Sequence, residues 1–395
     1  MPSKIIITDR NNIIIASDVD FSEYVFEIDT FNIANSFDMT LSNIPDVPQD
    51  IKSWYGVTLL VDTKTMFRGV IQRLSRSGEK GSIDVRLSGK SRGSVLVESS
   101  CTSYKDFRNE KPKDIIDKLI QQTNFYPQPV SNAQDAVSVD DWDTTGDIDD
   151  FNDAIEQSIR DNKAFISRRD KTEYSQDFSS LPVKDHFKIE PGDNVFDKIN
   201  ELVISQGFDI IYEPEGTLFV GDISKRRLNK SPLIKHNINL VQRDRTNALQ
   251  NKEDNNNVLT WDISEDTSSL YSAVTVISQS QNGTNKSATA TDSTVLDKKT
   301  LVVQINDDDT SPEKEAIRIR EDNKIDSFRA FYTAPDHIDD VGEPWGVNRS
   351  VDMNDPFNGV EGGYVLYGTT FTFSRQEGFK TELNISYARR KGLKV

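Results

Sequence analysis

An acidic segment near the middle of the sequence holds the residue types best suited to binding a metal ion. Residues 130–159 contain nine carboxylates and neither Lys nor Arg. Asp141, Asp143, Thr145 and Asp147 match positions 1, 3, 5 and 7 of a calcium-binding loop, with Gly146 at position 6. The spacing therefore raises the possibility of a calcium site in this segment.

The last position of that loop argues against calcium. Position 12 normally carries a bidentate Glu, and here it is Asn152. That carboxylate supplies two of about seven oxygen ligands, and acidic runs match parts of the template by chance. We therefore favour a solvated acidic loop, keep calcium as the alternative, and expect no cofactor.

Other chemistry finds little support. His186, His236 and His337 lie in no zinc-binding motif, and Cys101, the single cysteine, lies in no nucleophile motif. Paired carboxylates could serve a glycan hydrolase, but among 64 acidic residues suitable pairs arise by chance. We expect no enzyme, with a glycan-binding or glycan-hydrolysing protein as the alternative.

Length and charge narrow the class of protein further. The chain has 395 residues, which predicts between two and four domains. Its formal net charge of −17 disfavours general binding of DNA or RNA. No apolar run approaches membrane-spanning length, and the first residues lack a signal peptide's apolar region, so we expect no membrane insertion and synthesis in a reducing cytoplasm.

The first hundred residues have the pattern of antiparallel β-structure. Residues 5–7 and 13–15 flank a turn-rich link, which predicts a hairpin. Segments 56–61, 66–76 and 83–88 follow as a three-stranded meander, the last alternating apolar and polar residues. We predict a β-barrel domain over 1–100, completed by 223–250.

The next segment, 101–222, predicts an α/β domain. Apolar stripes indicate helices over 112–122 and from Asp193 to Gly207, and a hairpin follows over 208–220. Residues 130–185 are predicted to be an acidic insertion in this domain.

The last third returns to β-structure and predicts a second barrel over 258–395. Strands are expected at 273–278 and 301–305 with a polar loop over 282–294 between them. Ser311-Pro312-Glu313 is a helix-start signal, which predicts a helix over 312–330. A closing hairpin is expected from 363–373 and 379–387. The predicted fold is α+β and β-rich, with two antiparallel β-barrel domains flanking an α/β domain.

Four segments in this order resemble the baseplate hub proteins of contractile-tailed bacteriophages, the Mu-like tail protein and late control protein D group. The first, 87–101, is similar to the family's strand with a Gly-Arg-x-Arg-x-x-x-Leu-Val-Asp-x-Ser element, with Lys90 and Glu98 replacing its usual Arg and Asp. The second is the helix over 112–122. The third, 190–220, resembles a Gly-Glu-Thr-Val-Phe helix followed by a strand pair. The fourth begins at Pro344-Trp345-Gly346-Val347-Asn348 and ends with the closing hairpin.

The resemblance covers most of the chain outside 130–185 and implies a structural baseplate hub of a contractile phage or prophage tail. The alternative is a tail-associated glycan-binding or glycan-hydrolysing protein. Such hubs are homotrimers in which two similar barrels per chain form a pseudo-sixfold ring. The ring joins a sixfold tail tube protein to a threefold central spike protein and leaves a channel for transient passage of DNA. Implied partners also include neighbouring baseplate proteins, and the implied location is the virion tail baseplate, assembled in the host bacterial cytoplasm.

Overall fold

The computed structural model describes residues 3–9, 13–17, 21–42, 51–79, 82–123, 125, 137–138, 165–166, 171–227, 232–236, 256–278, 286–305 and 311–389. Seven strands occur in the described part of the first hundred residues, and all belong to one large sheet. They are β1 (Ser3–Thr8), β2 (Ile14–Ser17), β3 (Phe21–Asp29), β4 (Ser36–Ser42), β5 (Gly56–Val61), β6 (Lys64–Glu79) and β7 (Ser82–Ser91).

Short strands and helices make up the middle of the chain. The helices are α1 (Ser94–Glu98), α2 (Pro112–Ile120), α3 (Gln176–Ser179), α4 (Val195–Ile204) and a 3-10 helix (Ile223–Arg226). The strands are β8 (Lys105–Phe107), β9 (Val137–Ser138), β10 (Phe165–Ile166), β11 (Thr172–Tyr174), β12 (Phe187–Ile189), β13 (Asp209–Tyr212) and β14 (Leu218–Gly221).

The last third is again dominated by strands, with one long helix, α5 (Pro312–Asp326). Its strands are β15 (Leu233–Lys235), β16 (Thr260–Glu265), β17 (Ala273–Ser278), β18 (Lys286–Thr291), β19 (Thr300–Ile305), β20 (Phe328–Ala334), β21 (Arg349–Asp355), β22 (Val360–Ser374) and β23 (Gly378–Ser386). None of the helices in the described residues is long and apolar enough to cross a membrane.

A 13-stranded sheet joins the first and last thirds of the chain. Its order is β16-β20-β23-β22-β3-β4-β7-β6-β5-β1-β2, with β21 added beside β22 and β15 beside β21. Its pairs are antiparallel except β15 with β21. The prediction of a β-rich fold with antiparallel sheets is confirmed. The described strand path ends at β16 and β2 without closing, so two closed barrels remain a prediction.

Helices α2 and α4 cover a separate core in the middle of the chain. Pro112 begins α2 at a position that needs no backbone N–H donor, and Asn194 caps α4 by accepting a hydrogen bond from the N–H of Asp197. Asp193, where the sequence predicted this helix to begin, instead accepts a hydrogen bond from the N–H of Glu190. Both helices bury one apolar stripe against β8, β12, β13 and β14.

Two sequence predictions differ from the structure at element boundaries. Helix α5 ends at Asp326 rather than near residue 330, because alternating burial of Phe328, Ala330, Tyr332 and Ala334 makes the next segment strand β20. The predicted polar loop over 282–294 contains β18, a Ser/Thr-rich strand that pairs with β17. Within 223–250, predicted to complete the first barrel, β15 pairs with β21 of the last third.

The β3–β22 pair lies at the centre of the large sheet, and its core residues should dominate stability. Phe371 of β22 is fully buried and lies opposite Phe26 of β3. We expect Phe371→Ala to lower the free energy of unfolding by about 3–5 kcal/mol, through lost burial and a cavity. Denaturant unfolding measures this change.

Phe357→Ala is the matched control, because Phe357 is 46% exposed. It should cost roughly 1 kcal/mol or less. Equal losses for the two variants would show that the junction between β3 and β22 is not a major source of stability.

Candidate functional site

The main functional feature of the described chain is a repeated five-stranded unit. In the first unit the strand order is β3-β4-β7-β6-β5, and in the second it is β16-β20-β23-β22-β21. Each ends in the same meander: a short strand, a strand of 16 or 15 residues, and a returning strand that pairs with it. The chain therefore carries two copies of one strand arrangement.

Irregular positions in the two units correspond in detail. The pairing of β6 with β7 skips Gln72, and the pairing of β22 with β23 skips Tyr367. One residue before each skipped position, the carbonyls of Ile71 and Leu366 accept hydrogen bonds from the N–H groups of Trp54 and Asn348 at 2.7 and 2.8 Å.

Those two donors share an uncommon backbone conformation. Trp54 has φ of 72° and Asn348 has φ of 53°, both in the left-handed region that non-glycine residues rarely occupy. Two unrelated meanders would not share both a bulge and a left-handed N–H donor at equivalent points. We therefore treat the two units as an internal repeat.

The two units meet along a continuous antiparallel ladder. Residues 23–29 of β3 pair with residues 368–374 of β22, from Glu23 opposite Ser374 to Asp29 opposite Gly368. Beyond the ladder, the N–H of Thr30 donates to the carbonyl of Tyr367 at 2.8 Å. We call this ladder the junction.

A buried polar chain adds to the junction. His337 lies between Tyr24 of the first unit and Thr381 of the second, with its Nε2 2.8 Å from the Tyr24 hydroxyl and its Nδ1 2.9 Å from Oγ1 of Thr381. The Thr381 hydroxyl donates to the carbonyl of Asp336, so it accepts from His337 Nδ1–H. Nε2 is then the acceptor for Tyr24, which also bonds Ser3 at 2.8 Å.

This arrangement requires a neutral imidazole. Burial lowers the pKa of His337 to about 3, and a proton on Nε2 would also remove the acceptor for Tyr24. Burial raises the pKa of Tyr24 well above its usual range. Both side chains are therefore uncharged around neutral pH and act as hydrogen-bonding groups within the sheet.

A second buried polar cluster lies at the other edge of the second unit. Nδ1 of His236 is 2.9 Å from Oδ2 of Asp355, which also accepts from the Tyr332 hydroxyl at 2.7 Å. Although burial opposes the charge, hydrogen bonds from Asn358, Tyr332 and His236 lower the pKa of Asp355. The cluster ties β15 to β20 and β21.

A cavity of about 440 Å³ lies between the large sheet, α5 and the helical region. Its lining includes Arg389, which forms ion pairs with Asp209 and Asp322, and Arg318, which lies 2.7 Å from Asp322. These charges neutralise one another and connect the chain after β23 with β13 and α5.

The residues considered for chemistry from the sequence do not assemble into one site. His186 pairs with Asp106, far in sequence from the groups that contact His236 and His337. Cys101 is buried, and burial raises the pKa of its thiol, which disfavours a nucleophilic thiolate. In the part of the chain that the structure describes, no group of three or more potential ligand side chains could hold a metal.

The calcium-loop candidates Asp141, Asp143, Thr145 and Asp147 lie outside the described residues. Calcium binding there stays a prediction. Sequence reasoning missed the positions that define the repeat, Trp54, Gln72, Asn348 and Tyr367. Their types differ between the units, and the only available signal was the matching strand and turn lengths.

Comparison with known proteins finds similarity at the level of structure. No family model matches the sequence, and no curated protein matches it. A tail protein from Neisseria meningitidis MC58 superposes with a TM-score of 0.66 at 20% identity, over 98% of this chain and 97% of that one. The 43 kDa tail protein of prophage MuSo2 from Shewanella oneidensis gives 0.67 at 15% identity, over 98% of each chain.

An Escherichia coli component of the type VI secretion system, described as similar to tail proteins of bacteriophage T4, gives 0.51 at 10% identity, over 95% of this chain and 76% of that one. The chain therefore has the fold of phage and prophage tail proteins. The resemblance predicted from the sequence is confirmed at this level.

The neutral state of His337 makes stability depend on pH. The pKa of this histidine falls from 6.5 to about 3 on folding, so the unfolded chain binds one more proton between those values. The stabilisation that comes from the neutral His337 is fully present above the unfolded pKa. As pH falls below that value, the free energy of unfolding decreases by up to about 1.4 kcal/mol per pH unit for this one group. His337→Gln should flatten that part of the profile.

Denaturant unfolding at a series of pH values measures the slope. The control is His186→Gln, at a half-exposed site outside the junction, and it should keep the slope that His337 causes. An unchanged slope in His337→Gln would show that this histidine does not titrate as the buried geometry requires.

Proposed function

We propose that this chain is the structural hub subunit of a contractile phage or prophage tail. Three copies form a ring with pseudo-sixfold symmetry, and the ring joins a sixfold tail tube to a threefold central spike. The observation that carries this proposal is the internal repeat, because a chain with two equivalent units offers six similar positions when three chains assemble. The tail-protein fold supports the same role.

Each unit is proposed to belong to a barrel domain. The first domain spans 1–100 and is completed by 223–250, and the second spans 258–395. Residues 101–222 form an α/β domain with an acidic insertion at about 130–185. Closing an antiparallel sheet removes exposed strand edges, which otherwise invite unwanted pairing.

A threefold ring requires two different complementary surfaces on each chain. Such a ring is a head-to-tail assembly that closes, so one surface of a subunit meets another surface of the next. Permanent contacts of this kind commonly bury about 2,000 Å² or more.

The charge of the chain suits a channel for DNA. Three copies, each of formal net charge −17, carry −51. If part of that charge lines the bore, repulsion between like charges keeps DNA from adhering during passage. We place the acidic insertion away from the tube contact, because burying uncompensated carboxylates is costly.

The proposed partners are the tail tube protein, the central spike protein and neighbouring baseplate proteins, in the virion tail after assembly in the bacterial cytoplasm. The role is structural and not enzymatic. The tail-protein neighbours and the neutral, buried His337 support this reading.

Light scattering on the purified full chain tests the proposal. We expect a mass near 134 kDa, three times 44.7 kDa, and six lobes around a central hole in electron micrographs. Because a hub can require its partner to assemble, the measurement is repeated with the spike protein. A monomer under both conditions, or turnover of cell-wall glycans, would contradict the proposed role.

A further inference from the structure

The internal repeat leaves two strand edges without a partner strand in the described residues. In the second unit, the outer half of β22 pairs with β23 on one side and with β3 on the other. In the first unit, residues 73–79 of β6 pair with β7 on one side, and no described strand occupies the other. At the opposite end of the sheet, β16 pairs only with β20.

These two edges are the repeat equivalents of the two strands that form the junction. β6 corresponds to β22, and β16 corresponds to β3, because both pairs occupy the same places in the strand order of the two units. One chain therefore contains one formed junction and the two halves of a second.

We infer that the free edge of β16 in one copy pairs with residues 73–79 of β6 in a second copy, reproducing the β3–β22 junction between chains. This inference rests on the proposed function. It adds which surfaces meet and in what register. In a ring of three, three junctions within chains would alternate with three between chains.

The repeat fixes the register of the second junction. Across the first unit, hydrogen-bonded neighbours run Val25–Asp38–Ser88–Arg73. Across the second, the same row runs Asp262–Phe331–Asn384–Gly368. Asp262 is thus the equivalent of Val25, and Arg73 is the equivalent of Gly368.

In the formed junction Gly368 lies opposite Asp29, four residues beyond Val25. By the same offset, Arg73 lies opposite Asp266 of the next copy. The remaining pairs follow in antiparallel order, with Ser75 opposite Ser264 and Glu79 opposite Thr260.

Charge and burial agree with this pairing. On the exposed half of β6, Arg73 lies opposite Asp266 in this register, and β16 carries the further carboxylates Asp262 and Glu265. Opposite charges on facing strands stabilise pairing.

The core-facing side is incomplete in the single chain. Tyr24 and Phe26 of β3 are 1% and 0% exposed. Their equivalents in β16 are less buried: Trp261, the equivalent of Tyr24, is 40% exposed, and Ile263, the equivalent of Phe26, is only partly buried. Leu74, on the same face of β6, is also only partly buried against the large core. A partner strand would cover these apolar side chains as β22 covers those of β3.

Cysteine cross-linking of the full chain tests the register. Ser75→Cys with Ser264→Cys places thiols directly opposite each other between copies, at Cβ separations of about 4.5–5.5 Å. Mild oxidation should give covalent dimers and a covalent trimer on a denaturing gel without reductant. The native Cys101 is buried, so it does not compete.

The control keeps Ser75→Cys and moves the second thiol to Thr260→Cys. Position 260 lies four residues from position 264 along the same face, about 13 Å away at the rise of a strand. The control variant should therefore stay monomeric on the gel.

A trimer by light scattering that does not cross-link through 75 and 264, or that cross-links equally in both variants, would overturn the inference while leaving the ring intact. A monomer at every concentration and with spike would instead overturn the proposed ring, and the second junction with it.

Charge exchange provides an independent measurement. Arg73→Glu and Asp266→Arg each place like charges opposite one another and should weaken trimer association at least about tenfold. The double variant Arg73→Glu/Asp266→Arg should recover most of that loss. Asp266 also accepts a hydrogen bond from the N–H of Ser268. Asp266→Arg and the double variant both lose this hydrogen bond, so a recovery of trimer association in the double variant can come only from the exchanged charge pair. Additive losses without recovery would contradict the register.

Discussion

The structure depends on the ladder between β3 and β22, which joins segments almost the full length of the chain apart. Without it, the large sheet would separate into the strands of the first third and those of the last third. A backbone ladder satisfies buried donors and acceptors on both strands, and it fixes the orientation of one unit against the other residue by residue. Phe26 and Phe371 face each other on its buried side, so hydrogen bonding and apolar burial support the same register.

Buried polar side chains add specificity to this joint. Ser3, Tyr24, His337, Thr381 and the Asp336 carbonyl form one continuous chain of hydrogen bonds through the interior. An unpaired buried hydroxyl or imidazole costs more than a made hydrogen bond contributes, so a shifted alignment of the units would leave several groups unsatisfied. The neutral imidazole is essential here, because only that form both donates and accepts.

Duplication within one chain would let one strand arrangement serve both the junction inside the chain and the contact that we propose between copies. The same strand arrangement presents the same two edges twice, and one pair of them forms the β3–β22 ladder inside the chain. The other pair differs in its side chains: Thr370, Phe371 and Thr372 of β22 correspond to Ser75, Arg76 and Ser77 of β6. More charge and less apolar area suit the proposed contact between copies, which would form after each chain has folded.

Local patterns determined much of the fold. Turn signals and, in β7, alternating apolar and polar residues predicted the meander of β5, β6 and β7. Apolar stripes predicted α2 and α4, because these signals arise between residues near in sequence. The end of α5 and the strand β18 were missed, since each depends on a neighbouring strand that overrides weak local preference. Only tertiary structure decided that β3 pairs with β22, that His337 is buried and neutral, and that Trp54 and Asn348 are equivalent. Contacts between distant segments depend on the shape of the whole sheet, which no local run of residues encodes.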